Sequence, residues 1–248
     1  MRANRDLPKI VTKYLDVIIG PVLLGAIDYF RFPERRDPWG GAFNGQYKRR
    51  ELFLSLILAC RPAAIIETGT HVGASTEFMA EVSKLPVYSV EADARCIGFA
   101  KMRLRKRRNV QLFLGDSRAF LRNFTAGDGA KYLGRPLLFY LDAHWRKDLP
   151  LSEELEIIFS SFLQAIVMID DFHVPHDSGY GYDDYGAGKT LNREYIAPQV
   201  KRFQIVEFYP ITPSSAESGG RRGCVLLARD PGIIDALSPV PLLRKWPT

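Results

Sequence analysis

Short apolar runs recur along the chain, each closed by acidic, glycine or small polar residues. IIETGTHVGAST (65–76), PVYSVEAD (86–93) and VQLFLGDSRAFL (110–121) begin this way, and LLFYLDAHW (137–145) and AIVMIDDF (165–172) repeat it. Such runs predict strands buried on both faces, and the first passes through its glycines into a helix start. FQIVEFYPI (203–211) and RGCVLLARD (222–230), with a polar turn between them, read as a further pair of strands. DPWGGAFNGQYKRRELF (37–53) predicts a loop and then a helix from about Tyr47. Residues 173–196, rich in glycine and tyrosine, form an insertion longer than ordinary connections, and such loops are usually functional or disordered.

Near the start, VIIGPVLLGAI (17–27) is apolar but broken by Gly20 and Pro21. It is shorter than the roughly 20 residues that cross a bilayer, and no small-residue cleavage site follows it. Residues 1–50 are therefore expected to form a helical cap that packs on the domain or against a second copy of the chain. A helix lying in a membrane interface is the weaker alternative. Residues 51–248 form the main domain.

The composition fits one compact domain: 248 residues, 46% of them hydrophobic, can bury a large core. Cys60, Cys96 and Cys224 are widely spaced and odd in number, so they make neither a zinc pattern nor a disulfide framework, and a reducing cytoplasm is the expected compartment. The formal charge of +6 is concentrated in KMRLRKRR (101–108), with six cations in eight residues. A solvated helix with Met102 and Leu104 turned inward explains this run better than a phosphate-binding patch, although a nucleic-acid surface stays open.

The turn at 65–76 carries the strongest chemistry. Gly69 and Gly73 allow a sharp turn and close approach of the backbone to a ligand, and the next helix start, with Ser75, offers donors. The spacing is E-x-G-x-x-x-G rather than the G-x-G-x-x-G of a dinucleotide site. A carboxylate at Glu67 repels pyrophosphate but suits a ligand bearing an ammonium group. Glu91 lies about 20 residues on, where a ribose-binding acid sits in nucleotide-binding folds. Asp116 and Ser117 close the third strand as an adenine-reading pair, as a helix N-cap, or as both.

In this order, the motifs resemble those of class I S-adenosylmethionine-dependent methyltransferases over roughly residues 51–230. The resemblance implies an α/β, Rossmann-like, seven-stranded mixed sheet with its last strand antiparallel, helices on both faces, and the cofactor across the carboxyl ends of the strands. It assigns S-adenosylmethionine to Glu67, Gly69, Gly73, Ser75, Glu91, Asp116 and Ser117. Phe43, Asn44 and Gln46, before the first strand, are further candidate contacts.

Asp142 ends the fourth apolar run, and Asp170 and Asp171 end the fifth. Carboxylates gathered at one rim repel unless a cation offsets them, and magnesium takes oxygen ligands. Metal-dependent O-methyltransferases of the catechol, caffeoyl-CoA and macrocin types have acids at the matching positions, which implies a metal held by Asp142, Asp170 and Asp171. The alternative is a helix cap and a substrate-binding acid in a metal-independent enzyme. His144 is the first choice of base, with His173 second as base or ligand, and either histidine can equally be a hydrogen-bonded loop residue. The family's lysine has no exact counterpart, since Arg146 and Lys147 are offset by one residue.

The expected activity is O-methylation of a hydroxyl on a small molecule, a sugar, phenol or natural product, in an acceptor pocket bounded by Tyr180, Tyr182 and Tyr185. These tyrosines can instead simply pack the insertion onto the domain. The absence of an N-P-P-Y or D-P-P-Y motif after the fourth strand argues against amine methylation. A nucleic-acid methyltransferase using 101–108 and a non-catalytic cofactor-binding protein are the rival readings.

Overall fold

The computed structural model describes residues 19–144 and 148–247. Eight strands build one sheet: β1 (Ile65–Thr68), β2 (Val87–Glu91), β3 (Val110–Leu114), β4 (Leu137–Leu141), β5 (Ala165–Asp170), β6 (Val206–Pro210), β7 (Cys224–Ala228) and β8 (Leu243–Lys245). Their order is β3-β2-β1-β4-β5-β7-β6-β8. The first five strands are parallel, and β7 runs antiparallel to both β5 and β6. The class is the expected one, with one strand more: β8 pairs antiparallel with β6 and covers what would have been the sheet edge.

Alternate residues of the strands feed two cores, as the period of two requires. Ile66, Phe139 and Val167 face α5 (Ser117–Ala126), α6 (Leu151–Ser161) and α7 (Arg193–Phe203). Ile65, Leu138 and Ile166 face α2 (Tyr47–Cys60), α3 (Ala74–Ser83) and α8 (Pro231–Leu237). The helix from Tyr47 forms where expected, so the boundary drawn at residue 50 falls inside α2. The order reverses between β1 and β4, and the carboxyl ends of these two strands form the crevice in which open α/β sheets bind ligands.

The described part of the N-terminal segment, α1 (Pro21–Arg31), crosses α4 (Ala94–Leu104). A Cβ on Gly25 would lie 1.9 Å from the Arg95 carbonyl oxygen, and one on Gly98 would lie 1.9 Å from that of Val22. Only glycine permits the two backbones to approach so closely. Buried Asp28 receives Arg95 Nε at 2.6 Å and fixes the crossing. The rest of the apolar N-terminal run, before residue 19, lies outside the described residues. Among the described residues no helix is long and apolar enough to cross a membrane.

In the basic run, Leu104 is buried, while Arg103 pairs with Glu77 and Asp37 and Arg107 with Glu77 and Glu81. Arg103 thus ties α4 to its neighbours, and Arg107 does the same for the turn just past its end.

Candidate functional site

The first half of the site lies at the tips of β1, β2 and β3. Glu67 is buried, and its Oε2 accepts from the Thr76 and Ser89 hydroxyls, whereas Oε1 has no hydrogen-bond partner among the described residues. Burial pushes its carboxyl up to about 7, against those two hydrogen bonds. Gly69, at φ +91°, passes so close to β4 that a Cβ would lie 2.2 Å from the Asp142 carbonyl oxygen. Gly73, at φ +78°, is the N-cap of α3. Ser75 Oγ accepts from the Phe43 amide at 3.0 Å. Glu91 accepts from the amides of His71 (2.6 Å) and Asp93 (2.8 Å), and burial raises its pKa. Beside it Gly115 bonds the Glu91 carbonyl, and a Cβ there would enter open space.

Asp116 is the N-cap of α5, accepting from the Arg118 and Ala119 amides, and its pairing with Arg118 pulls its carboxyl down to about 2. Ser117 is buried near Glu154, a residue the sequence reading passed over. Glu154 is itself buried, neither of its oxygens forms a well-aligned hydrogen bond among the described residues, and burial pushes it up to about 7, against the nearby Ser117 and Thr68 hydroxyls.

The second half lies just past β4 and β5. Asp142, about a third exposed, is held well above the carboxylate range by desolvation and by Asp170 and Asp171. Asp171 sits at φ +52°, so the chain turns sharply at the end of β5, a conformation aspartate tolerates better than most residues. Burial and the Asp170 charge push its carboxyl up to about 7, against Arg222, whose Nε donates to its Oδ1 at 2.6 Å. His144 is only 4% exposed, and among the described residues neither ring nitrogen has a hydrogen-bond partner. Burial lowers its pKa to about 4, so the imidazole is neutral. One ligand atom each from Asp142, His144 and Asp171 lies within 4.8 Å of the others, with His144 Nε2 at 3.7 Å from Asp142 Oδ1.

Asp170 stands apart from this trio. Its buried carboxylate pairs with the Arg49 guanidinium, accepts from the Tyr140 hydroxyl at 2.6 Å and meets Asn44 Nδ2 at 3.5 Å. Burial works against its charge, but Arg49 and Tyr140 outweigh it and hold the carboxyl below its ordinary value. The structure therefore brings together two of the three acids first named for a metal, and adds His144. His173 instead stacks edge-on against Tyr182 at 4.8 Å, and Arg146 and Lys147 lie outside the described residues.

Of the residues before β1, Phe43 is buried among Phe53, Phe78 and Tyr140, and Gln46 exchanges two hydrogen bonds with the Arg222 backbone. In the long insertion Tyr180 is buried, donating to the Thr212 carbonyl, and the Tyr185 hydroxyl contacts the His144 carbonyl and Asp183. Both tyrosines pack the loop, and Tyr182 is the exposed one of the three.

The sequence matches no protein-family model and no curated protein. Solved structures do match. An O-methyltransferase from Bacillus cereus in complex with SAH superposes with a TM-score of 0.51 at 15% identity, over 88% of this chain and 97% of that one. TomG from Streptomyces achromogenes, an O-methyltransferase involved in tomaymycin synthesis and solved with SAM, gives 0.51 at 16%, over 89% and 96%. The methyltransferase domain of bacterial CtHen1 gives 0.52 at 12%, over 74% and 97%. This chain has the fold of the class I methyltransferases. At these identities the likeness is one of fold, and the chemistry must come from the residues.

Arg49, Arg222, Asp183 and Glu154 were missed. Arg49 was detectable, because it shares a helical face with Leu52, Phe53, Leu56 and Cys60, all buried. Arg222 and Asp183 lie in loops, and nothing in their spacing announces that they meet.

Replacing Arg49 with Met should leave Asp170 buried and unpaired and cost about 3–5 kcal/mol in urea denaturation, part of it recovered in R49M/D170N. For Glu154 the folded-state pKa lies above the unfolded one, so its stabilising contribution is complete below about 4.5 and is lost as pH rises through about 7. Glu154→Gln should then raise stability at pH 8 by about 1–3 kcal/mol and by far less at pH 5. Equal effects at both pH values would contradict the buried-acid assignment.

Proposed function

We propose that this chain is an S-adenosylmethionine-dependent O-methyltransferase that acts on a hydroxyl of a small molecule, assisted by a divalent cation such as magnesium. The observation that carries this reading is the meeting, at the switch point of the sheet, of a glycine turn flanked by Glu67 and Glu91 with the trio of Asp142, His144 and Asp171.

Both groups fit the residues present. Glu67 Oε1 is a buried acceptor without a donor, which suits an ammonium group, and Glu91 at the tip of β2 has lone pairs to spare for ribose hydroxyls. Gly69, Gly73 and Ser75 bring backbone and hydroxyl to the methionine end, and Asp116 and Ser117 lie at the adenine end. Asp142 and Asp171 would hold the cation, with Asp170 locked behind them by Arg49 and Tyr140. When bound, S-adenosylmethionine supplies an electrophilic methyl group, and the cation supplies charge that eases loss of a hydroxyl proton and fixes the oxygen.

The chain's own residues provide orientation and exclude water. Tyr185 ties the 173–192 loop to the His144 carbonyl and so closes one side of the site. His144 presents a neutral imidazole, the form that can accept a proton or offer a lone pair. Tyr182 and His173 line a cleft on the same loop, together with Pro175, Thr190 and Arg193. The commitment of Arg103 and Arg107 to ion pairs supports a small acceptor over a nucleic acid.

Calorimetric titration with S-adenosylmethionine tests the cofactor assignment. The native chain should bind, and Glu91→Gln, which removes a charged acceptor, should weaken binding about tenfold or more. Transfer of labelled methyl to a panel of sugars and phenols then tests the reaction. No heat of binding in the native chain would contradict the reading.

A further inference from the structure

His144 has an environment that neither a loop residue nor a general base needs. Its side chain is essentially buried, its two ring nitrogens have no hydrogen-bond partner among the described residues, and it is aimed at two carboxylates. A buried imidazole that serves a protein only by packing forms at least one hydrogen bond, since an unpaired buried polar atom costs about 1–3 kcal/mol. A ligand that accepts a lone pair removes that cost at the nitrogen it binds. The His144–Asp142 spacing agrees: donor atoms about 2.1 Å from a common ion lie roughly 3–4.2 Å apart, and here Nε2 and Asp142 Oδ1 are 3.7 Å apart, while the trio as a whole lies within 4.8 Å, a span that a small side-chain adjustment of Asp171 brings into range.

We infer that His144 is a metal ligand through Nε2, so that the centre is one nitrogen and two carboxylates, His144, Asp142 and Asp171, and selects manganese, cobalt or zinc over magnesium. This rests on the metal-assisted reading above and sharpens it. Asp170 is absent from the ligand set because Arg49 and Tyr140 already occupy its carboxylate. Asp171 remains available, since Arg222 Nε engages one of its oxygens and a carboxylate offers about four lone-pair positions. Selectivity follows from donor type. Magnesium favours oxygen and near-ideal octahedral geometry, whereas imidazole suits later divalent ions, and affinity for a given nitrogen and oxygen set rises from manganese to cobalt.

The test measures binding directly. The metal-stripped 248-residue chain is titrated with Mn(II), followed by loss of the free-ion electron paramagnetic resonance signal, with Co(II), followed by its visible absorption, and with Mg(II), by calorimetry. Co(II) and Mn(II) should bind at least about tenfold more tightly than Mg(II). His144→Gln should weaken Co(II) about 10–100-fold while changing Mg(II) little. The Mn(II)-loaded native protein should show nitrogen modulation in pulsed spectra, a readout that requires no variant to fold. Absence of that modulation, or Mg(II) bound as tightly as Co(II), overturns the ligand assignment. S-adenosylmethionine titrated into the same stripped sample separates the two readings: cofactor binding without binding of any ion removes the metal centre and leaves the transferase, and loss of cofactor binding with Co(II) still bound does the reverse.

Discussion

Four carboxylates crowd the ends of β4 and β5, and among the described residues two guanidiniums face them. Asp142, Asp170, Asp171 and Asp183 meet Arg49 and Arg222, with a neutral histidine among them. Like charges at this spacing, partly desolvated, must be paired, protonated or bridged by a cation. The protein uses the first solution for Asp170, which has Arg49 and a tyrosine hydroxyl to itself. It uses the second in part for Asp142 and Asp171, both shifted upward. Their remaining excess of negative charge among the described residues, beside an imidazole without a partner there, is what makes a cation the natural third solution.

Much of the surrounding architecture holds that arrangement. Arg49 stands on the inner face of α2, so the helix that packs the core also delivers the guanidinium. Its NH2 group reaches the Arg222 carbonyl at 2.6 Å, while Gln46 clamps the same residue from both sides. Arg222 in turn joins Asp171 to Asp183 on the long insertion. The segment before β1, the turn before β7 and the insertion after β5 are therefore one unit, and a change in any of them reaches the acids. Gly223 belongs to it as well, because a Cβ there would lie 2.2 Å from the Phe172 carbonyl oxygen.

The sheet was legible in the sequence because each buried parallel strand leaves a continuous apolar run, and the tips were legible because glycine and acid punctuate them. β8 was not, since LRK has only one buried residue and its pairing is set by what lies beside it. Asp170 and Asp171 show the limit of motif reasoning. Adjacent residues on a strand point to opposite faces, so the pair cannot serve one ion without a turn. The turn at Asp171 sends one acid to the cleft, and Arg49, more than a hundred residues earlier, retains the other. Tyr180 and Tyr185 pack the insertion, as one of the two readings had it, but their partners were hidden, because these hydrogen bonds run to distant backbone carbonyls.

The most direct measurement is anomalous diffraction from crystals grown with Mn(II) and S-adenosylmethionine. The account predicts a single strong peak about 2.0–2.3 Å from Asp142, His144 Nε2 and Asp171, with the cofactor between the Glu67 and Glu91 tips. A cofactor bound with no peak there, or a peak ligated by Asp170 with Arg49 displaced and His144 turned away, would contradict it.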